Sequence, residues 1–240
     1  MLSQATNSSV DSEAPTRSLL LVWRDPASRK YSRVAHLEKT DEQSYVFHYL
    51  DSARTLDGFY PLDEYPDLEG MYSSRGLPAF FANRVMSSSR PGYKEYLSWL
   101  GLEGTADPDI PVEVLARTGG GRATDTFHVV EMPSSDASHF ASRFFVSGVR
   151  HAEGGLEASQ TVHAGDSLLL RAEPDNPVNP LAKIIDTVTQ KQIGWLPDWL
   201  CDEVDSLESS AWSLSLSVER VNPDAPPRSR ILCKLEATRR

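Results

Sequence analysis

The chain has 240 residues, of which 40% are hydrophobic and 24% are charged, and its formal net charge is −10 at pH 7. This composition is ordinary for a globular protein, and the length predicts two domains. The acidity excludes a general coat for nucleic acid, which needs a broad basic surface. Residues 1–139 carry 13 Lys and Arg against 20 Asp and Glu, whereas residues 140–240 carry 11 against 14. Any nucleic-acid binding must therefore come from a local site, such as the capture of a strand end.

The beginning of the chain and its cysteines are both typical of a cytoplasmic protein. Residues 1–18 lack the basic and apolar segments of a secretion signal, and we interpret them as a disordered tail. No apolar run approaches the length of about 20 residues that a membrane-spanning helix needs. Cys201 and Cys233 cannot form a disulfide framework, so we expect both thiols to be reduced and partly buried.

Three short strands are predicted at the start of the ordered chain. Residues 19–23 form an apolar run, residues 31–37 alternate imperfectly between apolar and polar side chains, and residues 45–50 follow an acidic turn. Strands at this spacing are typical of an antiparallel meander. Residues 58–68 are rich in aromatic residues and proline, so we expect this segment to pack across a surface.

Helices are predicted after this segment. Residues 77–85 place four apolar side chains on one face of a short helix. For the next helix, Ser89 is the expected cap, Pro91 suits the first turn and Gly101 ends the helix. A further short helix is predicted over residues 111–118.

A glycine-rich turn at residues 119–121 separates the last of these helices from a predicted strand at residues 124–130. The backbone N–H groups of such a turn, together with Arg122, could cradle an anion. The segment lacks the strand-to-helix context and the Lys-Ser or Lys-Thr ending of a P-loop. We favour a flexible turn, because glycine is mainly a conformational residue.

Three motifs stand out in the first half: GFYPLDEYP, LPAFFANRVMSSSRPGYKEYL and VEVLARTGGGRATDTFHVV. On these motifs, residues 19–131 resemble the N-terminal subdomain of HipA-like proteins, and the resemblance implies an α+β module. HipA-like chains normally continue into a kinase domain, but this sequence has no phosphate-cradling loop, catalytic loop or metal-binding aspartate motif of a kinase. The aromatic residues within residues 58–100 form either the core of this module or an exposed groove that docks a partner protein.

The second half is predicted to be a mainly β module at residues 140–238, joined to the first by a polar linker at residues 132–139. Residues 212–222 and 231–236 alternate between apolar and polar side chains, which is typical of half-buried strands. The remaining predicted elements are a helix at residues 197–207 and strands at residues 142–151, 167–172, 182–188 and 192–197.

The two motifs that organise the second half are EPDNPVNPLAKII and, a few residues later, IGWLP. Proline fixes φ, and Asp and Asn bond their own backbone, so the first motif predicts a rigid turn. At this spacing the motifs resemble the signature of the HIRAN domain, over residues 144–204. The resemblance implies a modified OB-like β-barrel, and the best-understood members bind the 3′ end of single-stranded DNA. It also implies a stress or phage-defence setting, in which bacterial members often occur.

The resemblance further implies a pocket for a terminal nucleotide. Arg150 and His151 match the Arg-aromatic pair on the first strand of the family. Asn176 and Asn179 match polar positions of the turn, and Trp195 follows the glycine of the last motif. The chemistry is coherent, because an aromatic face stacks a base, amides bond a sugar hydroxyl or a base edge, and arginine meets phosphate.

The sequence departs from the DNA-binding members at several positions of this pocket. Val178 replaces an aromatic residue, and Asn179 replaces an acidic residue that would accept a bond from a 3′-hydroxyl. Pro197 and Asp198 replace a lysine-containing segment, and Asp198 would repel phosphate. The alternative is a structural turn with Trp195 in the core. In that case the protein is an adaptor or regulatory subunit, of toxin–antitoxin or phage-defence type, that has lost DNA binding.

No catalytic or metal-binding constellation is predicted. The six histidines and two cysteines lack the close spacing of metal ligands. The serine runs have no nucleophile elbow, and paired carboxylates such as Asp63 and Glu64 lie in charged surroundings. We therefore expect a protein that is not an enzyme and has no cofactor. Its partner is either single-stranded DNA, at its 3′ end, or another protein.

Overall fold

The computed structural model describes residues 17–41, 43–122, 125–132, 134–135, 138–210 and 212–239. These residues form two antiparallel sheets, one of five strands in the first half of the chain and one of seven strands in the second. Short helices lie on and between the sheets. Within these ranges no helix is both long and apolar enough to cross a membrane.

The first sheet contains the predicted meander. Its strands are β1 (Arg17–Arg24), β2 (Tyr31–Lys39), β3 (Ser44–Tyr49), β4 (Met71–Arg75) and β5 (Phe127–Glu131), in the order β4-β3-β2-β1-β5. In the register of these strands, Leu19 of β1 lies opposite Leu37 of β2, which lies opposite Phe47 of β3. All three side chains are buried, so one face of the sheet forms the core of the first half. The predicted strands at residues 19–23, 31–37 and 45–50 are confirmed.

The segment at residues 58–68 packs across this face, as predicted. The ring of Tyr65 stacks on Phe47 with the ring centroids 4.3 Å apart. The hydroxyl of Tyr49 donates to the carbonyl of Tyr65 at 3.0 Å and accepts from the N–H of Leu62 at 2.7 Å. Most aromatic residues of this region therefore belong to the core. Tyr60 is the exception, since 79% of it is exposed.

Three helices follow in the first half: α1 (Ala79–Ala82), α2 (Tyr93–Trp99) and α3 (Ile110–Thr118). The prediction that Ser89 caps α2 is wrong. The helix begins four residues later, and the Ser89 hydroxyl instead lies 2.8 Å from that of Ser87. A hydroxyl engaged in a neighbouring turn is not available to a helix that begins beyond Gly92.

The second sheet curls until its two ends meet. Its strands are β6 (Ser134–Ser135), β7 (His139–Phe145), β8 (Ser167–Ala172), β9 (Lys183–Thr187), β10 (Gln192–Trp195), β11 (Trp212–Val221) and β12 (Ile231–Arg239). Their order is β10-β9-β8-β11-β12-β7-β6. Ser147, just after β7, pairs with Trp195 at the end of β10 in an isolated antiparallel bridge. The mainly β, curled arrangement is compatible with an OB-like barrel.

Two helices complete the second half, α4 (Gly155–Ala158) and α5 (Asp198–Ser209). On α5, Leu200, Val204 and Leu207 share one face and are buried in the core of the curled sheet. Cys201 and Cys233 lie in the same core as free thiols. Burial raises the pKa of the Cys201 thiol to about 12, so this cysteine stays protonated and unreactive at neutral pH.

The two halves pack against each other. Trp199, near the start of α5, packs against the core of the curled sheet and also against the cluster of Leu20, Val22 and Val130 in the first sheet. Polar contacts flank this apolar one. Nη1 of Arg220 donates to the carbonyl of Ser98 at 2.7 Å, and Nδ2 of Asn222 donates to the carbonyl of Trp99 at 2.7 Å. Arg33 and Glu203 form an ion pair at 3.1 Å.

The segment between the halves is short and belongs in part to the second sheet. Within the predicted linker at residues 132–139, Ser134–Ser135 forms β6 and pairs with β7. The backbone of Ser138 accepts a hydrogen bond from the N–H of Arg239 at 3.1 Å. The domain boundaries at residues 131 and 140 stay a prediction, as does the resemblance of the first half to HipA-like proteins.

Candidate functional site

The proline turn, residues 173–180, is held by its own asparagine side chains. Oδ1 of Asn176 accepts hydrogen bonds from the N–H groups of Val178 at 3.0 Å and Asn179 at 3.2 Å. Oδ1 of Asn179 accepts from the N–H of Leu181 at 2.9 Å. These bonds are Asx turns, which supply acceptors to a backbone that three prolines keep out of regular structure. They fix the shape of the turn and the position of both amides.

The carboxylate of Glu173 joins the proline turn to the last motif. Its Oε2 accepts from Nδ2 of Asn176 at 2.6 Å and from Nε1 of Trp195 at 2.9 Å. Bonds to a charged acceptor are stronger than neutral ones, so both the amide and the indole are held in place. Sequence reasoning missed Glu173. The signal was its position as the first residue of the EPDNP motif, next to a motif that contains a tryptophan donor.

Trp195 lies where the curled sheet closes. Its backbone exchanges two hydrogen bonds with Ser147, at 2.9 Å and 2.8 Å. The indole lies directly against Gly148, where an added Cβ would come within 2.6 Å of Cε3 of Trp195. Gly148 has a φ of 69°, in the left-handed region that glycine adopts most readily. Trp195 is half-buried, so part of the indole remains exposed to solvent.

Arg150 and His151 do not lie on a strand, which corrects the prediction made from the sequence. Strand β7 ends at Phe145. The chain then turns at Gly148, which lies against the indole of Trp195. The N–H of His151 donates to the carbonyl of Gly148 at 2.7 Å, which closes the glycine turn, residues 148–151. Both side chains are exposed. The turn therefore presents a cation and an imidazole two and three residues after the glycine that contacts Trp195.

Asn179 and Asp198 form a pair. Nδ2 of Asn179 donates to Oδ1 of Asp198 at 3.2 Å. Asp198 is the first residue of α5, where the helix dipole favours a negative charge. Sequence reasoning treated these two residues as independent departures from the family pattern. In the structure they act together, because the amide of the turn holds a carboxylate beside it.

A cleft of about 300 Å³ opens between the two sheets next to this pair. Gly148, Asp198 and Trp199 line it from the second half. Tyr31, Arg117 and His128 line it from the first half. The rings of Tyr31 and His128 lie 5.5 Å apart and form one wall. Two residues, Gly148 and Asp198, thus belong both to this inter-sheet cleft and to the surroundings of the proline turn.

The charges around the inter-sheet cleft are largely paired. Arg117 donates to the carbonyls of Leu100 and Gly101 and pairs with Glu113. Arg143 pairs with Glu219 at 2.7 Å. Burial lowers the pKa of His128, so its imidazole is neutral at pH 7. The inter-sheet cleft therefore offers little unpaired positive charge to a phosphate. The glycine turn differs, because its Arg150 is exposed.

The structure brings together most of the residues that the sequence predicted for the pocket. Asn176 and Trp195 share Glu173, and Asn179 contacts Asp198. Their functional roles stay predictions. No group of three or more His, Cys, Asp or Glu in the described parts of the chain could hold a metal ion.

Comparison with known proteins gives two partial likenesses. No family model and no curated protein sequence matches the chain. A crystal structure of a protein from Lactobacillus plantarum is similar, with 16% identity and a TM-score of 0.35, over 42% of this chain and 99% of that one. The HIRAN domain of human HLTF is also similar, with 19% identity and a TM-score of 0.31, over 41% of this chain and 73% of that one. Each likeness covers less than half of this chain.

Proposed function

We propose that the chain binds the end of a nucleic-acid single strand, without catalysing a reaction. The surface that we assign to this function consists of the proline turn, the glycine turn, Trp195 and Asp198, and we call it the end-binding surface. The observation that carries the proposal is the Glu173 carboxylate, which fixes the indole of Trp195 and the amide of Asn176. The indole lies against Gly148, two residues before the exposed Arg150. Fixed groups of these types suit a nucleotide, since they lose little freedom on binding.

Each group of the end-binding surface has a separate task in this proposal. The exposed part of the Trp195 indole stacks on the terminal base. Arg150 meets a phosphate, and His151 offers a further ring or donor at the rim. Asn176 uses its oxygen and its amide within the turn, so it positions the surface and leaves base contacts to its neighbours.

Asp198 takes the part of the acidic residue that the family pattern has at position 179. A carboxylate accepts a hydrogen bond from a hydroxyl group but repels a phosphate. The Asn179 amide holds Oδ1 of Asp198 at 3.2 Å and leaves the second oxygen for a ligand. A free 3′-hydroxyl would satisfy this carboxylate, whereas a 3′-phosphate would be excluded. The two departures from the family pattern compensate each other in this reading.

Fluorescence anisotropy with short DNA strands tests the proposal. We expect binding of a strand with a free 3′-hydroxyl and much weaker binding of the same strand with a 3′-phosphate. The slope of the logarithm of the association constant against the logarithm of the salt concentration should be roughly −0.7 for each phosphate neutralised. Because only one arginine contacts phosphate, we expect a shallow slope. Equal affinity for both ends, or no binding at micromolar protein, would contradict the proposal.

Three variants separate the assigned tasks. Trp195→Phe keeps a stacking ring but loses the bond to Glu173, and Arg150→Ala removes the phosphate contact. Each should weaken binding, and Trp195→Phe by less than the roughly 1–3 kcal/mol that complete loss of a base–aromatic stack costs. Asp198→Asn should abolish the preference for a free 3′-hydroxyl, since the amide no longer excludes a phosphate. Arg75→Ala, on the exposed edge strand β4, is the control and should bind as the parent does.

A protein adaptor or regulatory subunit is the second candidate, favoured by the two carboxylates of Glu173 and Asp198 at the end-binding surface and by the net charge of −10. In both candidates the first half recruits a partner, through residues 58–100, where Tyr60 and Met71 are 79% and 73% exposed. Purification of the protein from its own host tests this candidate. A stoichiometric protein partner without nucleic acid supports it, and a lone monomer counts against it.

A further inference from the structure

A second concave surface lies in the first half, apart from the end-binding surface. It encloses about 610 Å³, and its lining includes Arg84, Arg90 and Arg122 together with Leu77, Val85 and Met86. We call it the arginine groove. It shares no lining residue with the inter-sheet cleft. Arg122 directly follows the glycine-rich turn, whose role the end-binding surface leaves unexplained.

The arginine groove is a local concentration of positive charge on an acidic protein. Three arginines line it, of which Arg84 is paired with Asp125, and none of its lining residues in the described part of the chain is Asp or Glu. The chain as a whole carries a net charge of −10. A cleft lined by one sign of charge focuses the field and attracts ligands of the opposite sign. The groove is therefore suited to a ligand that bears negative charge.

Arg84 forms the fixed part of the groove. Its side chain is only 2% exposed and pairs with Asp125 at 2.5 Å, while its Nη1 donates to the carbonyl of Gly120 at 3.0 Å. The guanidinium also lies over the ring of Phe80, 4.1 Å from its centroid. Its Nε is buried and has no acceptor among the described residues. A buried donor without a partner is unfavourable.

Arg90 and Arg122 supply the exposed charge. Both residues are exposed. Nη2 of Arg122 donates to the carbonyl of Asn83, which fixes the side chain at the rim without neutralising it. Among the described residues neither guanidinium has an ion pair. Dissolved counterions balance these charges in the free protein, and carboxylates of a ligand could replace them.

The apolar lining decides between two classes of ligand. Leu77, Val85 and Met86 are half-buried aliphatic side chains, and methionine adapts to varied apolar partners. Among the described residues that line the groove none is aromatic, although single-stranded nucleic acid is usually bound on aromatic platforms. The ring of Phe80 is covered by the guanidinium of Arg84. Cations around an aliphatic floor fit a peptide better than a nucleic-acid strand.

We propose that the arginine groove docks an acidic protein segment in which carboxylates flank an aliphatic side chain. The aliphatic side chain packs on Leu77, Val85 and Met86, and the carboxylates pair with Arg90 and Arg122. This inference deepens the partner-recruiting role proposed for the first half. Peptide docking is independent of strand-end binding, because the arginine groove and the end-binding surface have no residue in common. Separate variants therefore test the two proposals.

Selection from a displayed library of short random peptides, with the full chain as bait, tests the inference. We expect enrichment of peptides that combine Asp or Glu with Leu, Ile, Val or Met. A synthetic peptide of the enriched sequence should bind the double variant Arg90→Glu/Arg122→Glu about tenfold more weakly or worse, since two attractive pairs become repulsive. Lys30→Glu/Arg75→Glu makes the same change of charge outside the groove and should leave the affinity unchanged.

Three outcomes would overturn the inference. The first is a library that yields no enriched peptide. The second is an enriched peptide that is not acidic, or whose affinity the groove variant leaves unchanged. The third is a groove variant that loses single-stranded DNA binding while no peptide is enriched, which would assign the groove to nucleic acid. Trp195→Phe provides the complementary check, because it should weaken DNA binding without affecting the peptide.

Discussion

Gly148 illustrates how a single residue positions the end-binding surface. The indole of Trp195 lies where a side chain at position 148 would project, and the φ of 69° at this position disfavours any residue with a Cβ. The same residue turns the chain, so that Arg150 and His151 leave the sheet and reach the rim. The position of two predicted ligand residues thus depends on one glycine.

Replacement of Gly148 by alanine should therefore lower the free energy of unfolding. The same replacement at Gly165 separates the part that is due to backbone strain from the part that is due to packing. Gly165 also has a positive φ, 93°, but an added Cβ there meets nothing within 4 Å. We expect Gly165→Ala to cost only backbone strain, about 1–2 kcal/mol. Gly148→Ala should cost a further 1–3 kcal/mol, roughly, because it also forces the indole aside. Urea unfolding measures both, and equal losses would contradict the packing argument.

The histidines predict how stability depends on pH. Burial lowers the pKa of His128, and burial together with the neighbouring His48 lowers that of His36. The unfolded chain, with histidine near its ordinary pKa of about 6.5, then binds more protons than the folded chain. Stability is present above that pKa and is lost as the pH falls below it. We expect the free energy of unfolding to decrease between neutral pH and mildly acidic pH.

Two variants test the assignment to His128. His128→Gln cannot be protonated, so it should flatten the pH dependence of the unfolding free energy. His163→Gln makes the same substitution at an exposed position and is the matched control. Urea titrations at a series of pH values provide the measurement. A slope that is the same in His128→Gln as in the parent would refute the assignment.

The sequence predicted individual residues of the end-binding surface but not their hydrogen-bond partners. Asn176, Asn179 and Trp195 were singled out from their motifs, and the structure places all three around the proline turn. Glu173 was not, because its role depends on a tryptophan 22 positions away that only the folded sheet brings within reach. The pairing of Asn179 with Asp198 was missed for the same reason, since 19 positions separate them.

Strand β9 and helix α5 are joined by two kinds of contact of very different value. Nζ of Lys183 lies 3.4 Å from Asp205 and 2.8 Å from Glu208. The lysine is 7% exposed, but Glu208 is 42% exposed and remains hydrated without its partner. On the inner face of the same helix, Leu200 is fully buried in the core. The apolar contact, rather than the ion pairs, should hold the helix to the sheet.

Substitutions in the ion pairs and in the apolar contact should show which of them holds helix α5 to the sheet. Lys183→Met replaces a buried cation by an apolar side chain of similar length, and we expect a change in unfolding free energy within about 1 kcal/mol. Leu200→Ala leaves a cavity in a packed core and should cost about 2–5 kcal/mol. Guanidinium unfolding of both variants is the measurement. A larger loss in Lys183→Met than in Leu200→Ala would reverse the ranking.

Most helices and strands could be predicted from the periodicity of apolar residues. The predictions were wrong where a tertiary contact ends a strand or buries a residue of its outer face. The alternation in β11 and β12 was read correctly, since one face of each strand is buried. The strand predicted over residues 142–151 ends instead at Phe145, because Ser147 must pair with Trp195. Strict alternation over residues 231–236 would place Leu232 on the outer face with Lys234 and Glu236, yet Leu232 is buried. It lies opposite Phe145, which packs against the first half.

The whole molecule should unfold as one unit, because the halves share an apolar contact. Trp199 of α5 packs both on the core of the second half and on Leu20, Val22 and Val130 of the first sheet. We expect calorimetry of the parent to give equal van 't Hoff and calorimetric enthalpies. Trp199→Ala should lower stability by up to about 3 kcal/mol and separate the transition into two.

Leu169→Ala serves as the control for this prediction. Leu169 is an exposed leucine on β8, away from the contact between the halves, so its loss should leave a single transition. Two separate transitions in the parent would mean that the contact between the halves does not couple them. The packing of the halves could not be predicted from the sequence, since the residues that make it are scattered along the chain and follow no common pattern.

The bridge between Ser147 and Trp195 also sets the order of events in folding. It joins residues that are far apart in sequence, and in the sheet the four strands β12, β11, β8 and β9 lie between β7 and β10 and must be in place before the two residues can meet. Contacts of this kind form late, since the entropy of the intervening chain opposes them. The end-binding surface, which is built on this bridge, is thus completed only when the second half has finished folding. A bound strand end should slow unfolding and leave the rate of folding unchanged, because the transition state does not yet possess the surface that the strand recognises.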